Sequence, residues 1–274
     1  MLLGASLIQW SAALVTHVFH LIGPSATSGW RFLLGAVVLL GFTRPQLRTW
    51  TRRQWLGALV LGASVAAMNQ CFFQAIDRIP LGAAVAIEYL GPFMVSALGR
   101  RTKRHVAFVM LAGLGVLAIA HPGRGLNFAG VAFACGAGLG WAAYVFAAHR
   151  VGAQSEGFGG LAASMAISAL FTLPWSVGSA GYVFAHPSVL GRLAIVATMS
   201  IVLGFGCELQ ALRRLTPSTA GVLFALDPAV AFVIGLVVLG QAIRPWDLLG
   251  TVLVVAAGAG VTLDAASGDE IIVQ

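Results

Sequence analysis

Glu88, Asp227 and Arg31 stand inside long apolar runs, where few neighbours can solvate a charge. An ionisable side chain in a bilayer costs from about 2.5 kcal/mol upward if it stays charged, so such groups are seldom idle. Glu88 lies eight residues beyond Pro80, a depth of about 12 Å at the helical rise. Pro92 follows it by four, and a proline removes the hydrogen bond to the carbonyl four residues back, here that of Glu88 itself. One spot thus gathers a carboxylate, a freed carbonyl and an expected kink. Asp227 lies ten residues beyond Pro217, about 15 Å by the same rise, and Pro228 would release the carbonyl of Phe224 in the same way. Carboxylates beside helix breaks suit the binding of a cation, an ammonium group or a proton. The plainer reading is a neutral or hydrogen-bonded carboxyl that only ties helices together. Arg31, seven residues beyond Pro24, presents a planar fork that matches a carboxylate. It would clamp a substrate carboxylate or neutralise Glu88; the competing reading has it snorkel to the headgroups.

Other polar and aromatic side chains stand in the same runs. Gln9 belongs to the first run, and Asn69, Gln70 and Gln74 place amides along the third. Trp10, Tyr89, Trp141 and Tyr144 put rings inside helices and are candidates to line a cavity, although any one of them would also serve as core packing. Trp50, Trp55 and Trp246 fall at run ends, as interfacial rings do. Glu208 sits near Arg213 and Arg214 and reads as an interfacial ion pair. His17 and His20 end the first run and read as wetted. Gly136-Ala137-Gly138-Leu139-Gly140 contains a GxxxG spacing, which allows close helix approach and reads as packing. Cys71, Cys135 and Cys207 are isolated within apolar runs, so neither a metal site nor a disulfide framework is expected. No cofactor is expected.

The elements that must position these residues are legible in the composition. Of 274 residues, 59% are hydrophobic and 9% charged, against roughly a quarter charged in soluble domains, and mean hydropathy is +0.91. The bilayer must supply the solvent, and only helices or closed barrels can span it. The runs are about 20 residues long, which fits helices rather than barrel strands. Ten are expected, all α: Leu2–Ile22, Pro24–Thr43, Gln54–Ala75, Pro80–Gly99, Val106–Ala120, Leu126–Ala148, Phe158–Val177, Val189–Leu212, Pro217–Leu239 and Trp246–Leu263. From Ala265 a polar tail, residues 265–274, is expected to be disordered. The first run is too long, and lacks the basic start, for a cleavable signal peptide. It opens at Leu2, so a misassigned start codon and a short first helix are among the expectations.

Eleven of the sixteen Lys and Arg residues fall in loops on the N-terminal side of the membrane, while Arg78, Arg124, Arg192 and Arg244 fall on the other. The positive-inside rule then places both termini in the cytoplasm. The net charge of +7 is dispersed through these loops, so it points to membrane topology and not to nucleic acid.

The two halves look related. Phe72-Phe73-Gln74-Ala75-Ile76-Asp77-Arg78-Ile79-Pro80 resembles Glu208-Leu209-Gln210-Ala211-Leu212-Arg213-Arg214-Leu215-Thr216-Pro217, and each leads into a run carrying a carboxylate and a proline. Residues 1–122 and 123–264 therefore read as two five-helix units. An odd number of spans turns the second unit upside down, giving an inverted repeat.

The stretch Ile79-Pro80-Leu81-Gly82-Ala83-Ala84-Val85-Ala86-Ile87-Glu88-Tyr89-Leu90-Gly91-Pro92 resembles the fourth helix of the bacterial threonine and homoserine exporters, in the EamA group of the drug/metabolite transporter superfamily. Gly4-Ala5-Ser6-Leu7, Ser28-Gly29-Trp30-Arg31-Phe32-Leu33-Leu34-Gly35 and Asp227-Pro228-Ala229 match in position. Leu239-Gly240-Gln241 departs from the family, which usually has a glutamate after the glycine. The resemblance implies ten helices in two inverted repeats around a central cavity, a bacterial inner-membrane location, export of amino acids and drive by the proton gradient.

A secondary transporter of small hydrophilic amino acids is thus the leading expectation. A zwitterion needs one cationic and one anionic partner, which Arg31 and Glu88 would provide. Another solute, such as a nucleobase, polyamine or drug-like cation, is the alternative. A membrane enzyme is disfavoured because no nucleophile–base pair, metal cluster or phosphate-cradling loop is present. A scaffold would need interaction domains beyond short loops, and nothing resembles a channel's selectivity filter. Oligomeric state is left open.

Overall fold

The computed structural model describes residues 1–91, 103–119, 127–151, 159–212, 214, 223–224, 226–242 and 244–270. Its elements are helices, and no strand occurs among the described residues. Numbered here in chain order, they are α1 (Leu2–Ile22), α2 (Pro24–Thr43), α3 (Arg52–Ile76), α4 (Leu81–Glu88), α5 (Lys103–Ile119), α6 (Phe128–Val151), α7 (Gly159–Val177), α8 (Ala180–Ala185), α9 (Pro187–Ala197), α10 (Phe205–Leu212), α11 (Asp227–Leu239) and α12 (Pro245–Glu270). A π-helical segment, Thr198–Gly204, joins α9 to α10. Five helices are long and apolar enough to cross a membrane: Leu2–Ile22, Pro24–Thr43, Arg52–Ile76, Gly159–Val177 and Pro187–Glu208. Val106–Ile119, Phe128–Tyr144, Asp227–Leu239 and Pro245–Val261 are shorter and apolar.

Local chemistry sets the ends. Gly23, at φ 80°, reverses the chain between α1 and α2, and its N–H donates to Phe19 O at 2.8 Å. Pro24 then opens α2, where a missing N–H costs nothing. Thr51 caps α3 in a capping box with Gln54, satisfying two amides that have no partner in the first turn.

Four expectations are corrected. The fourth run does not continue as one helix to Gly99: α4 ends at Glu88, Tyr89 forms a turn, and helix resumes at Leu90–Gly91. The break falls on the residue whose carbonyl bond a proline at position 92 removes; Pro92 itself lies outside the described residues. In the ninth run, Asp227 opens α11 and Pro228 stands in its first turn. Helix is also present at 223–224 and a turn falls at Leu226, so Pro228 stands where an interrupted run resumes. The eighth run is interrupted by the π segment, a distortion common at functional sites. Finally, α12 runs on through Glu270, so the expected disorder from Ala265 does not hold there. Extending a formed helix needs no new nucleus, and alanines at 265 and 266 favour it.

The helices pack as a bundle. α3 lies against α6 and α7, α2 against α7 and α9, and α1 against the π segment, α9, α10 and α11. α4 packs on α6 and α11, and α5 on α12. The main core gathers Val15, Phe19, Phe73, Leu81, Val85, Ile87, Leu193 and Ile234 from α1, α3, α4, α9 and α11. A second core joins Phe32, Val65, Met165 and Ile201.

Candidate functional site

Arg31 settles the question of snorkelling. It is 2% exposed, held between α2 and α3. One terminal N–H of its fork donates to Asn69 Oδ1. Its guanidinium carbon lies 4.6 Å from the centre of the Phe73 ring and 5.5 Å from that of Phe32, within cation–π range. Phe73 is braced in turn by Phe19, with ring centres 5.4 Å apart. Asn69 is oriented by its own bond from Nδ2 to Val65 O, 3.2 Å. Among the described residues, Arg31 Nε has no hydrogen-bond partner. The arginine is thus rigidly held yet keeps donor capacity unused.

Glu88, at the C-terminal end of α4, is buried and within electrostatic range of both Arg31 and Asp227. Asp227, also buried, occupies the first turn of α11. Carboxylates are favoured at helix N-termini, whereas the carbonyl end of α4 adds negative potential beside Glu88. The two half-helices approach closely. A Cβ on Gly82 would stand 2.3 Å from Phe232 Cδ2, and one on Gly235 would touch Leu81 Cβ at 3.6 Å. Residues 82 and 232 meet, as do 81 and 235, so the helices run antiparallel and bring the 88 and 227 ends together.

Glycines of α6 make room for the break. A Cβ on Gly138 would lie 3.0 Å from Glu88 O, while Gly136 faces Cys71 and Gly140 faces Met68 of α3. The packing reading of this glycine motif holds, with an addition: Gly138 leaves space at the Glu88 carbonyl.

Aromatic rings form one wall nearby. Tyr89 and Trp141 are T-shaped at 6.0 Å between centres, and Trp141 meets Phe224 at 6.2 Å, again edge to face. Phe224 was not singled out as a ring by sequence reasoning, nor was Phe73; among 16 phenylalanines no pattern marks these two. Tyr144 stands apart from the trio, packed against the second core. Trp10 is 44% exposed and is not brought into the cluster. Gln70 is only half available: its Nε2 donates to Ser25 O at 3.2 Å, while its Oε1 has no partner among the described residues. Gln74 likewise ties α3 to α2 through Ser25 Oγ, 2.8 Å. Gln9 Oε1 is a further buried acceptor without a partner among the described residues. Pro92 falls outside them.

Proximity in sequence pairs Glu208 with Arg213 and Arg214. Arg213 lies outside the described residues, and Arg214 is exposed. Glu208 instead lies against α1, where a Cβ on Gly4 would be 3.0 Å from its Cγ, and is within electrostatic range of Asp227. An acid inside an apolar run was the signal, and nearby arginines in sequence diverted it. His17 and His20 are exposed, as expected.

A cavity of about 1050 Å³ opens where α2 ends and α3 and α7 begin, lined by Leu39, Phe42, Gln54, Gly160, Val202, Cys207 and Gln210 among others. It lies at one end of the bundle, and none of Arg31, Glu88 and Asp227 lines it.

A bundle that is all-helical among the described residues, with five apolar helices of membrane-spanning length, is a multi-pass membrane protein. Residues 128–263 match the EamA-like transporter family. The chain is 34% identical over 266 residues to the threonine/homoserine exporter RhtA of Escherichia coli K12, covering 96% of this chain and 90% of that one. RhtA of Salmonella typhimurium LT2 is 33% identical with the same coverage. The uncharacterized transporter YyaM of Bacillus subtilis is 26% identical over 93% of this chain. A solved structure at 19% identity superposes with a TM-score of 0.56 over 97% of each chain, which speaks to fold alone. The chain belongs to the EamA-like transporter family, and the relatives named here are transporters, not enzymes.

Proposed function

We propose that this chain is a secondary transporter that exports small hydrophilic amino acids of the threonine and homoserine type from the cytoplasm by alternating access. The carrying observation is Arg31: a buried, stacked guanidinium whose Nε has no partner among the described residues, in the field of Glu88. That pair offers a zwitterion its two complements. Arg31 takes the carboxylate, and Glu88, at the carbonyl end of a broken helix, takes the ammonium or exchanges a proton for it. The extended similarity to the E. coli exporter supports the substrate class.

Ten spans in two inverted repeats, residues 1–122 and 123–264, complete the reading. Helix packing supports it. Mapping the first five runs onto the last five exchanges the α3–α6 contact with that of α1 and the π segment, and the α4–α6 contact with α1–α11. It returns α2–α7, α4–α11 and α5–α12 to themselves. The charge distribution of the loops supports cytoplasmic termini in a bacterial inner membrane, and proton coupling through Glu88 supplies the drive.

Labelled-threonine counterflow in proteoliposomes tests the function. Uptake against preloaded unlabelled threonine or homoserine is expected. Absence of counterflow with both, and its presence with a nucleobase, polyamine or aromatic cation, would transfer the reading to that solute; the wall of Tyr89, Trp141 and Phe224 beside Glu88 is what favours this second class.

A further inference from the structure

Gln241 follows the helix that carries Asp227 and reaches the helix that carries Glu88. Its geometry starts with Gly240, at φ 60°, a left-handed conformation that ends α11 in the usual way. The Gln241 N–H then bonds back to Gly235 O at 3.1 Å. With the backbone so fixed, the side chain crosses to the other half of the chain, and Oε1 accepts the Leu81 N–H at 3.1 Å.

Leu81 needs that acceptor. It is the first residue of α4, so its amide has no intrahelical partner. Pro80 at the N-cap offers no side-chain cap, and Leu81 is fully buried, which keeps water away. A helix of eight residues also depends on tertiary contacts for its stability. Gln241 is therefore the cap that the local sequence does not provide.

The contact has a place in the whole molecule. The cavity opens at the end of the bundle where α3 begins. α3 has 25 residues, a length of about 37 Å, and Leu81 follows its far end. At that far end α4 and α11 are in close contact through Gly82 and Phe232 and through Leu81 and Gly235. The cavity opens at one end, and at the other Gln241 bridges the close contact of α4 and α11.

We propose that Gln241 is a positioning residue that caps α4 from the opposite half and thereby seals the end of the bundle away from the cavity. In the transport cycle, which rests on the export function proposed above, this hydrogen bond forms when that end closes and breaks when it opens. The acceptor oxygen, not the amide group, is what matters, so a glutamate at 241 also fits.

The test uses the full chain reconstituted in lipid, with Q241M, which keeps length without the amide oxygen, and Q241E, which keeps the acceptor. Amide hydrogen exchange over residues 81–84 reads the cap directly, and threonine counterflow reads the seal. Expected for Q241M are exchange about fivefold faster and a Vmax about fivefold lower at unchanged KM, the size of one lost hydrogen bond. Q241E is expected to match the wild type in both. Gly235→Ala gives an independent perturbation, because its Cβ would stand 2.7 Å from Gln241 Oε1; it should mimic Q241M. Wild-type exchange in Q241M, a Q241E no better than Q241M, or a change in KM alone overturns the proposal. Rapid exchange of the Leu81 amide in the wild type overturns it even if Q241M does not fold. If the wild type shows no threonine counterflow, the export reading falls, while the exchange measurement still decides the cap.

Discussion

α2 and α7 pack along one another, yet they differ in how completely their buried polar groups are satisfied. α7 buries Ser164, Ser168, Thr172 and Ser176 at every fourth position. Each hydroxyl donates to the carbonyl one turn back, at 2.9, 3.0, 2.8 and 3.2 Å respectively. Ser168 Oγ also lies 2.8 Å from Gly62 O of α3. Their needs are met within or beside their own helix, so they behave as small packing residues. α2 buries Ser28 and Arg31, and both retain a polar atom without a partner among the described residues. The arginine cannot satisfy itself on its own helix, and its neighbours satisfy it only in part. Polarity inside a membrane bundle therefore does not by itself single out a site; a rigidly held charge with an unused donor is what makes Arg31 a candidate.

Arg31→Met should produce the largest effect. Removing one member of a buried charged set costs a few kcal/mol, so threonine counterflow should fall about 100-fold. Arg31→Lys, which keeps charge but not the fork, should rescue little of it. Comparable transport in R31M would remove α2 from the site.

Glu88→Gln comes next, with export reduced about tenfold or more and insensitive to an uncoupler. If wild type and E88Q export equally, with the same uncoupler response, the role given to Glu88 is wrong.

Gly29→Ala probes the contact face of α2 without touching its charge. Its Cβ would stand 1.9 Å from Ser176 Oγ and 2.9 Å from Thr172 O. Overpacking of this kind costs about 1–3 kcal/mol, which should appear as a lowered melting temperature in detergent with KM little changed.

Ser168→Ala should matter least. It removes an interhelical bond worth about 0.6 kcal/mol in membrane bundles, and counterflow should stay at the wild-type rate. A loss in S168A as large as that in R31M would erase the distinction between the two helices.

How much of this was legible beforehand differs by feature. α1 and α2 begin and end where their apolar runs do, at Leu2–Ile22 and Pro24–Thr43, because glycine and proline mark their junction. α8 has no signature in the sequence, because at six residues it is too short to leave a periodic signal. Glu88, Asp227 and Arg31 were visible because a charge in an apolar run stands out against its neighbours. Phe73, Phe224 and Gly138 were not, since apolar and small residues are the background of such a chain.

The sequence by itself determined the solvent, the helical class, and which side chains would be costly to bury, since hydropathy and proline chemistry act over a few neighbouring residues. It also marked the segment from Glu88 to Pro92 for a kink, because a proline acts on the carbonyl four residues before it. Tertiary structure alone decided that Arg31 turns inward onto Asn69 and Phe73, that Gln70 is partly tied to Ser25, that Trp10 stays exposed, and that Gln241 caps a helix 160 residues away. Those outcomes depend on which helix faces are brought together by packing, and a one-dimensional pattern of apolar runs is nearly the same for every rotation of a helix about its axis.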